Sequence, residues 1–414
     1  MLLRKGLHDH QIYLLQRLIR LSGDEFGDIT TKIHIAIRRR EGLQTALQEQ
    51  PWAINTIDYT GHCPLTLATG RNQIGCIVRL ISAGADVNQV TTGGKSALML
   101  AAQKGAPESV RLLLNARCSV DLVDIHGCTA LHRASTAHCV ESVSLLIAAG
   151  ASATRRSTGG RTSLHYLTIY DRENRDDTKR IVEILVLAGA DLEARDIFGV
   201  TPVIATLHYD NISVMECLLD LGCLLSYPDS ENQNILHAVA MYASLEMLEY
   251  LGSLDLDDIN PYQNSLKGRT PGHLILRAYD QKLAGIRTIS TAELSAFLNL
   301  CQGIKDRSLQ HDIDNIEQVV AGLRDRDVAT TRKHLGPLLA KEERWKREGL
   351  VCWYRAVGKC IHNLEWDLAT EDMSDYLTEL KGELGKPVYE IPPEYGCTFL
   401  DSQIWETTIC ESEA

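Results

Sequence analysis

Apolar and polar positions along the chain follow a pattern that recurs about every 33 residues. Each repeat contains an apolar run at helical spacing, as in Val78–Ile81, Val110–Leu114 and Val143–Ile147. A glycine and a short turn stand before a second apolar stretch in the same repeat. These marker glycines lie 33 residues apart at Gly61, Gly94, Gly127 and Gly160, and Gly199 follows after 39. The pattern predicts one turn and two helices per repeat.

The residues between the apolar stretches agree with that prediction. A marker glycine permits the positive φ that a tight turn needs. Threonine then caps the first helix by accepting a backbone N–H, as expected of Thr129 and Thr162. A Gly-Ala pair such as Gly150-Ala151 ends the second helix. Because one such unit cannot bury its own core, the repeats are predicted to stack as a solenoid.

The segment Thr129-Ala-Leu-His-Arg-Ala134 resembles the ankyrin repeat, whose pattern is Thr-Pro-Leu-His-x-Ala. Thr162–His165 and Thr201–Val203 also match well, and weaker copies occur at Thr31–Ala36, Asn234–His237 and Thr270–His273. The resemblance implies an all-α ankyrin-repeat solenoid of about seven repeats over residues 28–290. It also implies that the pattern histidines are structural and bond the turn that precedes them.

The 33-residue phase stops near residue 290, which divides the chain into four predicted parts. Residues 1–27 are expected to form an N-terminal cap helix. Residues 291–365 are expected to form a helical extension, opened by a capping box at Ser290–Glu293. This extension is interpreted as a cover for the last repeat or, alternatively, as a docking module. Residues 366–414 are predicted to be an acidic, flexible tail, either solvated or partner-binding.

Repeat four carries about six extra residues, near residues 170–177, between its two helices. A solvated loop is the simpler interpretation, because loop closure costs little free energy. A contact specific to a partner is the alternative.

Charge and cysteine content exclude several classes of function. The net charge is −12, and twelve acids against two lysines from residue 366 onward account for −10 of it. The near-neutral remainder does not indicate a nucleic-acid-binding protein. No secretory signal or membrane span is evident, so the chain is expected in the cytoplasm, the nucleus or both, with reduced thiols. Cys352, Cys360 and His362 do not fit a zinc pattern, and no metal site is predicted.

Catalysis is not expected, and no cofactor is predicted. Neither a phosphate-binding loop nor a nucleophile elbow or HExxH motif occurs. The pattern histidines stand one repeat apart and cannot meet at one substrate. An unrecognised activity in the C-terminal helices is kept as a third option.

The predicted function is therefore protein recognition by an adaptor, scaffold or regulator, using the concave face of the repeats. A transcription co-regulator acting through the acidic aromatic tail is the alternative. The repeat phase and the resemblance assign partner-binding roles to Tyr59, Thr60, His62, Thr92, Lys95, Ile125, His126, Cys128, Arg133, Thr158, Arg161, Tyr166, Ile197 and Phe198.

One stripe of that face is predicted to be basic. Its turn position is occupied by His62, Lys95, Cys128 and Arg161 in successive repeats. A surface of one sign favours a partner of the opposite sign, so the partner is expected to present an acidic surface. The acidic tail from Trp366 is a candidate competitor for the same stripe.

Overall fold

A computed structural model describes residues 30–170, 175–225, 228–254, 256, 259–279, 289–345 and 366–388. The chain divides into two compact units. The first contains residues 1–197 and 216–220, and the second contains residues 198–215 and 221–414. Within the described residues there are helices and turns but no strands, in agreement with the predicted all-α class.

The helices of the first unit come in pairs, each joined to the next pair by a turn. In chain order they are α1 (Lys32–Arg39), α2 (Leu43–Glu49), α3 (Pro64–Gly70), α4 (Ile74–Ser82), α5 (Ala97–Gln103), α6 (Pro107–Asn115), α7 (Ala130–Thr136), α8 (Val140–Ala148), α9 (Ser163–Leu167) and α10 (Arg175–Leu187). The first helices pack side by side from α1 through α3, α5 and α7 to α9. The second helices pack in the same way from α4 through α6 and α8 to α10. This stacking is the predicted solenoid.

The pattern histidines connect one repeat to the next. His132 Nδ1 accepts the Thr129 N–H at 3.0 Å, so the ring proton is on Nε2. That Nε2 donates to the Arg161 carbonyl, 3.2 Å away in the turn of the following repeat. His34 and His237 make the equivalent bonds to the carbonyls of His62 and Arg269. The histidine thus bonds the end of the preceding turn through Thr129, as expected, and in addition the turn of the following repeat.

Two marker glycines show why a side chain cannot replace them. Gly127 and Gly160 have φ values of 70° and 73°, in the left-handed region. A Cβ at Gly127 would lie 2.8 Å from the Thr158 nitrogen, and one at Gly160 would lie 2.9 Å from the Ile197 nitrogen. Each turn therefore packs directly on the backbone of the next turn.

The second unit continues the helix pairs and adds three longer helices. The pairs are followed by a single helix, and the elements are α11 (Pro202–His208), α12 (Ile212–Asp220), α13 (Ile235–Tyr242), α14 (Leu245–Gly252), α15 (Pro271–Tyr279), α16 (Thr291–Arg324), α17 (Val328–Trp345) and α18 (Trp366–Glu383). Helix α12 runs across the boundary of the two units along the chain. Seven helix pairs are described in all, which matches the predicted number of repeats.

Helices α16, α17 and α18 form a bundle with its own apolar core. Helix α16 begins at the predicted capping box, where Ser290 and Glu293 each accept the other's backbone N–H. The core of the bundle includes Ile316, Met373 and Tyr376, all at most 3% exposed. Helix α16 also packs against α14 and α15.

The bundle corrects the predicted boundary of the acidic tail. A flexible tail was expected from residue 366, but residues 366–383 form helix α18, which packs on α16. The acids of α18 lie on one side, while Trp366, Ala369 and Leu380 are buried on the other. The prediction relied on the net charge of the segment, and net charge does not reveal an amphipathic pattern. Half of the twelve acids counted from residue 366 therefore belong to a packed helix.

The end of α18 is held by polar groups of α16. Lys305 is 8% exposed, and its Nζ donates to the carbonyls of Glu383 and Lys386 at 3.1 and 2.6 Å. Gln302 Oε1 accepts the Val388 N–H at 3.0 Å. These bonds attach the last residue of α18 and the turn that follows it to α16.

Several predictions lie outside the described residues. They are the cap helix at 1–27, residues 171–174 of the insertion in repeat four, the segment with Cys352, Cys360 and His362, and residues 389–414. The last residues of the insertion, 175–177, are not in a loop but begin helix α10. The eight described cysteines have free thiols. Among the described helices, none combines the length and the hydropathy that a membrane span requires.

Candidate protein-binding surface

The turns of the first unit form one continuous row. The backbone N–H of each turn donates to a carbonyl of the turn before it, at 2.9 to 3.4 Å. The donor residues are Thr92, Ile125, Thr158 and Ile197. Together with Tyr59 of the first turn, these residues are called the tip row. Because neighbouring turns are bonded to one another, the side chains of the tip row project from a connected backbone.

Apolar side chains are exposed along the tip row. Tyr59 is 45% exposed, Ile125 is 68% exposed and Ile197 is 63% exposed. Thr92 and Thr158 are also exposed. A single exposed apolar residue is ordinary on a protein surface, but a series of them at equivalent positions of a repeat indicates an interaction surface.

A buried carboxylate organises the first turn. Asp58 is 2% exposed, and its Oδ1 accepts the backbone N–H groups of Thr60 and His62 at 2.9 and 3.0 Å. Its Oδ2 accepts Arg38 Nη2 at 2.7 Å. Burial raises the pKa of this carboxyl, but the hydrogen bonds from Thr60 and His62 outweigh that effect, and the pKa lies below its ordinary value. Asp58 is therefore ionised and neutralises Arg38.

The same arrangement recurs at two further turns. Asp124 pairs with Arg133, and Asp196 Oδ2 accepts Arg161 Nε at 3.3 Å. Both carboxyl groups are buried. Burial raises the pKa of Asp124, but bonds from Arg133 and from backbone N–H groups more than compensate and lower it. Of the predicted basic stripe, Arg161 is thus offset by the buried Asp196.

Lys95 differs from these arginines. Its Nζ reaches Gln103 Oε1 at 3.4 Å, and within the described part of the chain it has no acidic partner. The turn before it begins with Thr91, whose Oγ1 accepts the Lys95 N–H at 3.0 Å. The Thr91 hydroxyl thus accepts the same backbone N–H that the Asp58 carboxylate accepts in the first turn. Because a hydroxyl is uncharged, it does not offset the charge of Lys95.

The residues predicted to bind a partner fall into three groups by exposure. The exposed ones are Tyr59, Thr60, Thr92, Ile125, His126, Thr158, Ile197 and Phe198. The half-buried ones are His62, Lys95, Arg133, Arg161 and Tyr166. Phe198 is 60% exposed and belongs to the second unit, whereas the other residues belong to the first.

Cys128 is the exception to the predicted exposure. It is 1% exposed, and its thiol donates to the Tyr166 hydroxyl at 2.9 Å. Burial raises the pKa of the Cys128 thiol, so it is protonated at neutral pH. Tyr166 also meets the His132 ring edge-on at 5.0 Å between centroids. Cys128 therefore packs inside the repeat and is not a contact residue.

The aspartates were missed in the sequence, although a signal was present. Asp58 and Asp124 stand 66 residues apart, two repeats, and Asp196 follows after 72, two repeats plus the insertion. Reading the repeats at a spacing of two would have found them.

The described side chains do not suggest a chemical centre. No cluster of three or more His, Cys, Asp or Glu side chains that could hold a metal ion occurs in the described ranges. The buried histidines of the pattern are engaged by backbone groups, and burial lowers the pKa of His132 to about 4.

A comparison with protein families agrees with the geometry. A family model for ankyrin repeats matches residues 71–157 and 98–179. No curated protein matches the chain.

Proposed function

The chain belongs to the ankyrin-repeat family, and from this we propose that it is a non-catalytic adaptor or regulator that binds another protein on the tip row of its first unit. Ankyrin repeats are generally modules of protein–protein interaction. The proposal assigns this role to a particular surface of this chain.

One observation carries the proposal. Ile125 and Ile197 present apolar side chains that are 68% and 63% exposed, on turns whose backbones are bonded to one another. Tyr59 adds an aromatic ring that is 45% exposed and lies beside Arg38. Burying such side chains against a partner is favourable at roughly 25 cal/mol per Å² of apolar area. Because the turns are held in place, little conformational entropy is lost when they bind.

The co-regulator alternative gains no support from the described residues. It depended on acids and aromatic residues from position 366 onward. Trp366 and six of the twelve acids lie in α18, and Trp366 is 8% exposed. Only residues 389–414 would remain for such a role.

A paired substitution tests the proposed surface. Ile125→Asp combined with Ile197→Asp in the full chain should reduce recovery of the bound proteins at least tenfold in quantitative affinity purification. Neither side chain is buried, so thermal unfolding should be nearly unchanged. Leu187→Asp is the matched control, because Leu187 is 88% exposed at the end of α10 and lies outside the tip row. Equal recovery from the paired variant and the wild type would contradict the proposal.

A further inference from the structure

The turns of the first unit alternate between two kinds. The odd turns read Asp58-Tyr-Thr-Gly61, Asp124-Ile-His-Gly127 and Asp196-Ile-Phe-Gly199. The even turns read Thr91-Thr-Gly-Gly94 and Ser157-Thr-Gly-Gly160. Over these five turns the surface therefore has a period of two repeats, although the fold has a period of one.

The two kinds of turn present different chemistry. An odd turn exposes a large apolar side chain at its tip and buries a carboxylate beneath it. An even turn exposes a threonine, carries a second glycine in place of a side chain, and is followed by a cation, Lys95 or Arg161. Along the tip row, turns with a large exposed side chain thus alternate with turns that contain two glycines and are followed by a positively charged residue.

Of the two cations that follow the even turns, Lys95 is the one available to a ligand. Arg133 is paired with Asp124 of its own repeat, and Arg38 is paired with Asp58 in the turn of the next repeat. Arg161 has no aspartate in its own turn and pairs with Asp196 of the next turn, with 31% of its side chain exposed. Lys95 has no acidic partner in the described ranges. The surrounding residues 30–170 hold fourteen Lys and Arg against eight Asp and Glu, a net of +6 in a chain of net charge −12.

The spacing of the apolar tips limits the shape of the ligand. Packed helices lie about 8–10 Å apart, so tips two repeats apart are separated by roughly 16–20 Å. An extended chain rises about 3.3 Å per residue, so six residues cover about 20 Å. Residues six apart in an extended segment also point to the same side, as do the residues two and four positions along.

We propose that the tip row binds an extended segment of a partner protein that has an apolar side chain at every sixth residue and an acidic side chain between them. The apolar side chains contact the odd tips at Tyr59, Ile125 and Ile197. The acidic ones contact Lys95 and, more weakly, Arg161. This inference rests on the proposed function of the tip row and specifies the chemistry of its partner.

A designed peptide tests the spacing on the full chain. The probe is a fluorescein-labelled 15-residue peptide with phenylalanine at positions 2, 8 and 14, aspartate at positions 4 and 10, and serine or threonine elsewhere. Its control has the same composition but phenylalanine at positions 4, 8 and 12 and aspartate at positions 6 and 10. Fluorescence anisotropy should show at least fivefold tighter binding of the six-residue spacing. Equal affinity for the two peptides would overturn the proposal.

A charge exchange tests the role of Lys95. Lys95→Glu should weaken binding of the probe at least tenfold and should favour a probe in which lysine replaces aspartate. Arg79→Glu is the matched control, since it makes the same change of charge at an exposed position of α4 away from the tips. It should alter affinity less than twofold at 150 mM salt.

The results separate this inference from the proposed function. If Lys95→Glu and Arg79→Glu change probe affinity equally, binding depends on overall charge and the inference is wrong. The proposed function does not depend on that outcome. It holds if the paired variant Ile125→Asp, Ile197→Asp loses its cellular partners. A variant that did not fold would fail to bind the lysine probe as well, so gained affinity for that probe excludes misfolding.

Discussion

The repeats of the first unit and the bundle of α16, α17 and α18 are both helical, but they are held together over very different distances along the chain. His132 bonds a carbonyl 29 residues away, in the next repeat. Gln302 bonds a backbone group 86 residues away, at the end of α18. In the repeats, each contact is made again one unit later. In the bundle, each contact is made once.

This difference determines how each region should respond to damage. A repeat shares its core only with the repeats before and after it, so a substitution in one repeat should affect mainly that repeat and its neighbours. The bundle has one core, in which Ile316 and Met373 are fully buried, and its three helices depend on that core together. Substitutions at matched levels of burial should therefore have larger consequences in the bundle.

The largest effect is expected from a charge in the bundle core. Ile316→Asp places a carboxylate among apolar side chains and should cost about 5 kcal/mol or more, because no partner is available to a buried charge there. Hydrogen exchange across residues 291–388 should report the loss of protection. Gln318→Asp is the control, since Gln318 is exposed on the same helix. Retained protection of α18 in the Ile316→Asp variant would refute the single-core description.

Within the repeats, a cavity should have a smaller effect that depends on position. Leu146 is fully buried in α8, which packs against α6, α7 and α10, and Leu146→Ala should cost about 2–5 kcal/mol. Leu43 in α2 is also buried, but it belongs to the first described pair and α2 packs mainly on α1. Leu43→Ala should cost less. Equal changes in unfolding free energy by urea denaturation would mean that the repeats do not share stability between neighbours.

The same contrast explains how much of the molecule could be predicted from its sequence. The repeats were predictable because Gly94, Gly127 and Gly160 recur in phase, and a periodic signal accumulates over copies. The bundle was not, because pairing α16 with α18 leaves no repeated pattern, and the net charge of the segment obscured the buried face of α18. Local signals still succeeded there, as at the Ser290–Glu293 capping box.

The tip row was predictable in position but not in electrostatics. The phase located Tyr59, Ile125 and Ile197 correctly at exposed turns. It did not reveal that the pairs Arg133–Asp124 and Arg161–Asp196 are formed, because whether two charged side chains meet depends on tertiary geometry. The repeat phase also predicted an exposed Cys128, whereas the side chain is buried and its thiol donates to the Tyr166 hydroxyl.

Acid should destabilise the repeats through their buried histidines. Burial lowers the pKa of His132 from 6.5 to about 4, because the charged ring would lose its hydration there. The folded state thus takes up the proton at lower pH than the unfolded state does. The neutral His132 ring makes its full contribution to the free energy of unfolding above pH 6.5. As the pH falls toward 4, this free energy decreases by roughly 3 kcal/mol.

Denaturation by urea between pH 7 and 4.5 measures this contribution. His132→Gln should lower stability at pH 7 and flatten its dependence on pH. His126→Gln, an exposed histidine of the same repeat, should keep the wild-type dependence. An unchanged pH dependence in His132→Gln would contradict the assigned role.

The smallest effect compares one helix cap in each region. Ser96 caps α5 and Ser290 caps α16, and each hydroxyl accepts the N–H of the third residue at 3.2 Å. The geometry is the same, but Ser96 is 2% exposed whereas Ser290 is exposed. After Ser290→Ala, water can bond the freed N–H, and the cost should be about 0.5–1 kcal/mol. After Ser96→Ala, the Met99 N–H stays buried without a partner, and the cost should be about 1–2 kcal/mol. Urea denaturation of the two variants decides the matter: a larger loss at Ser290 would show that burial between repeats does not strengthen their caps.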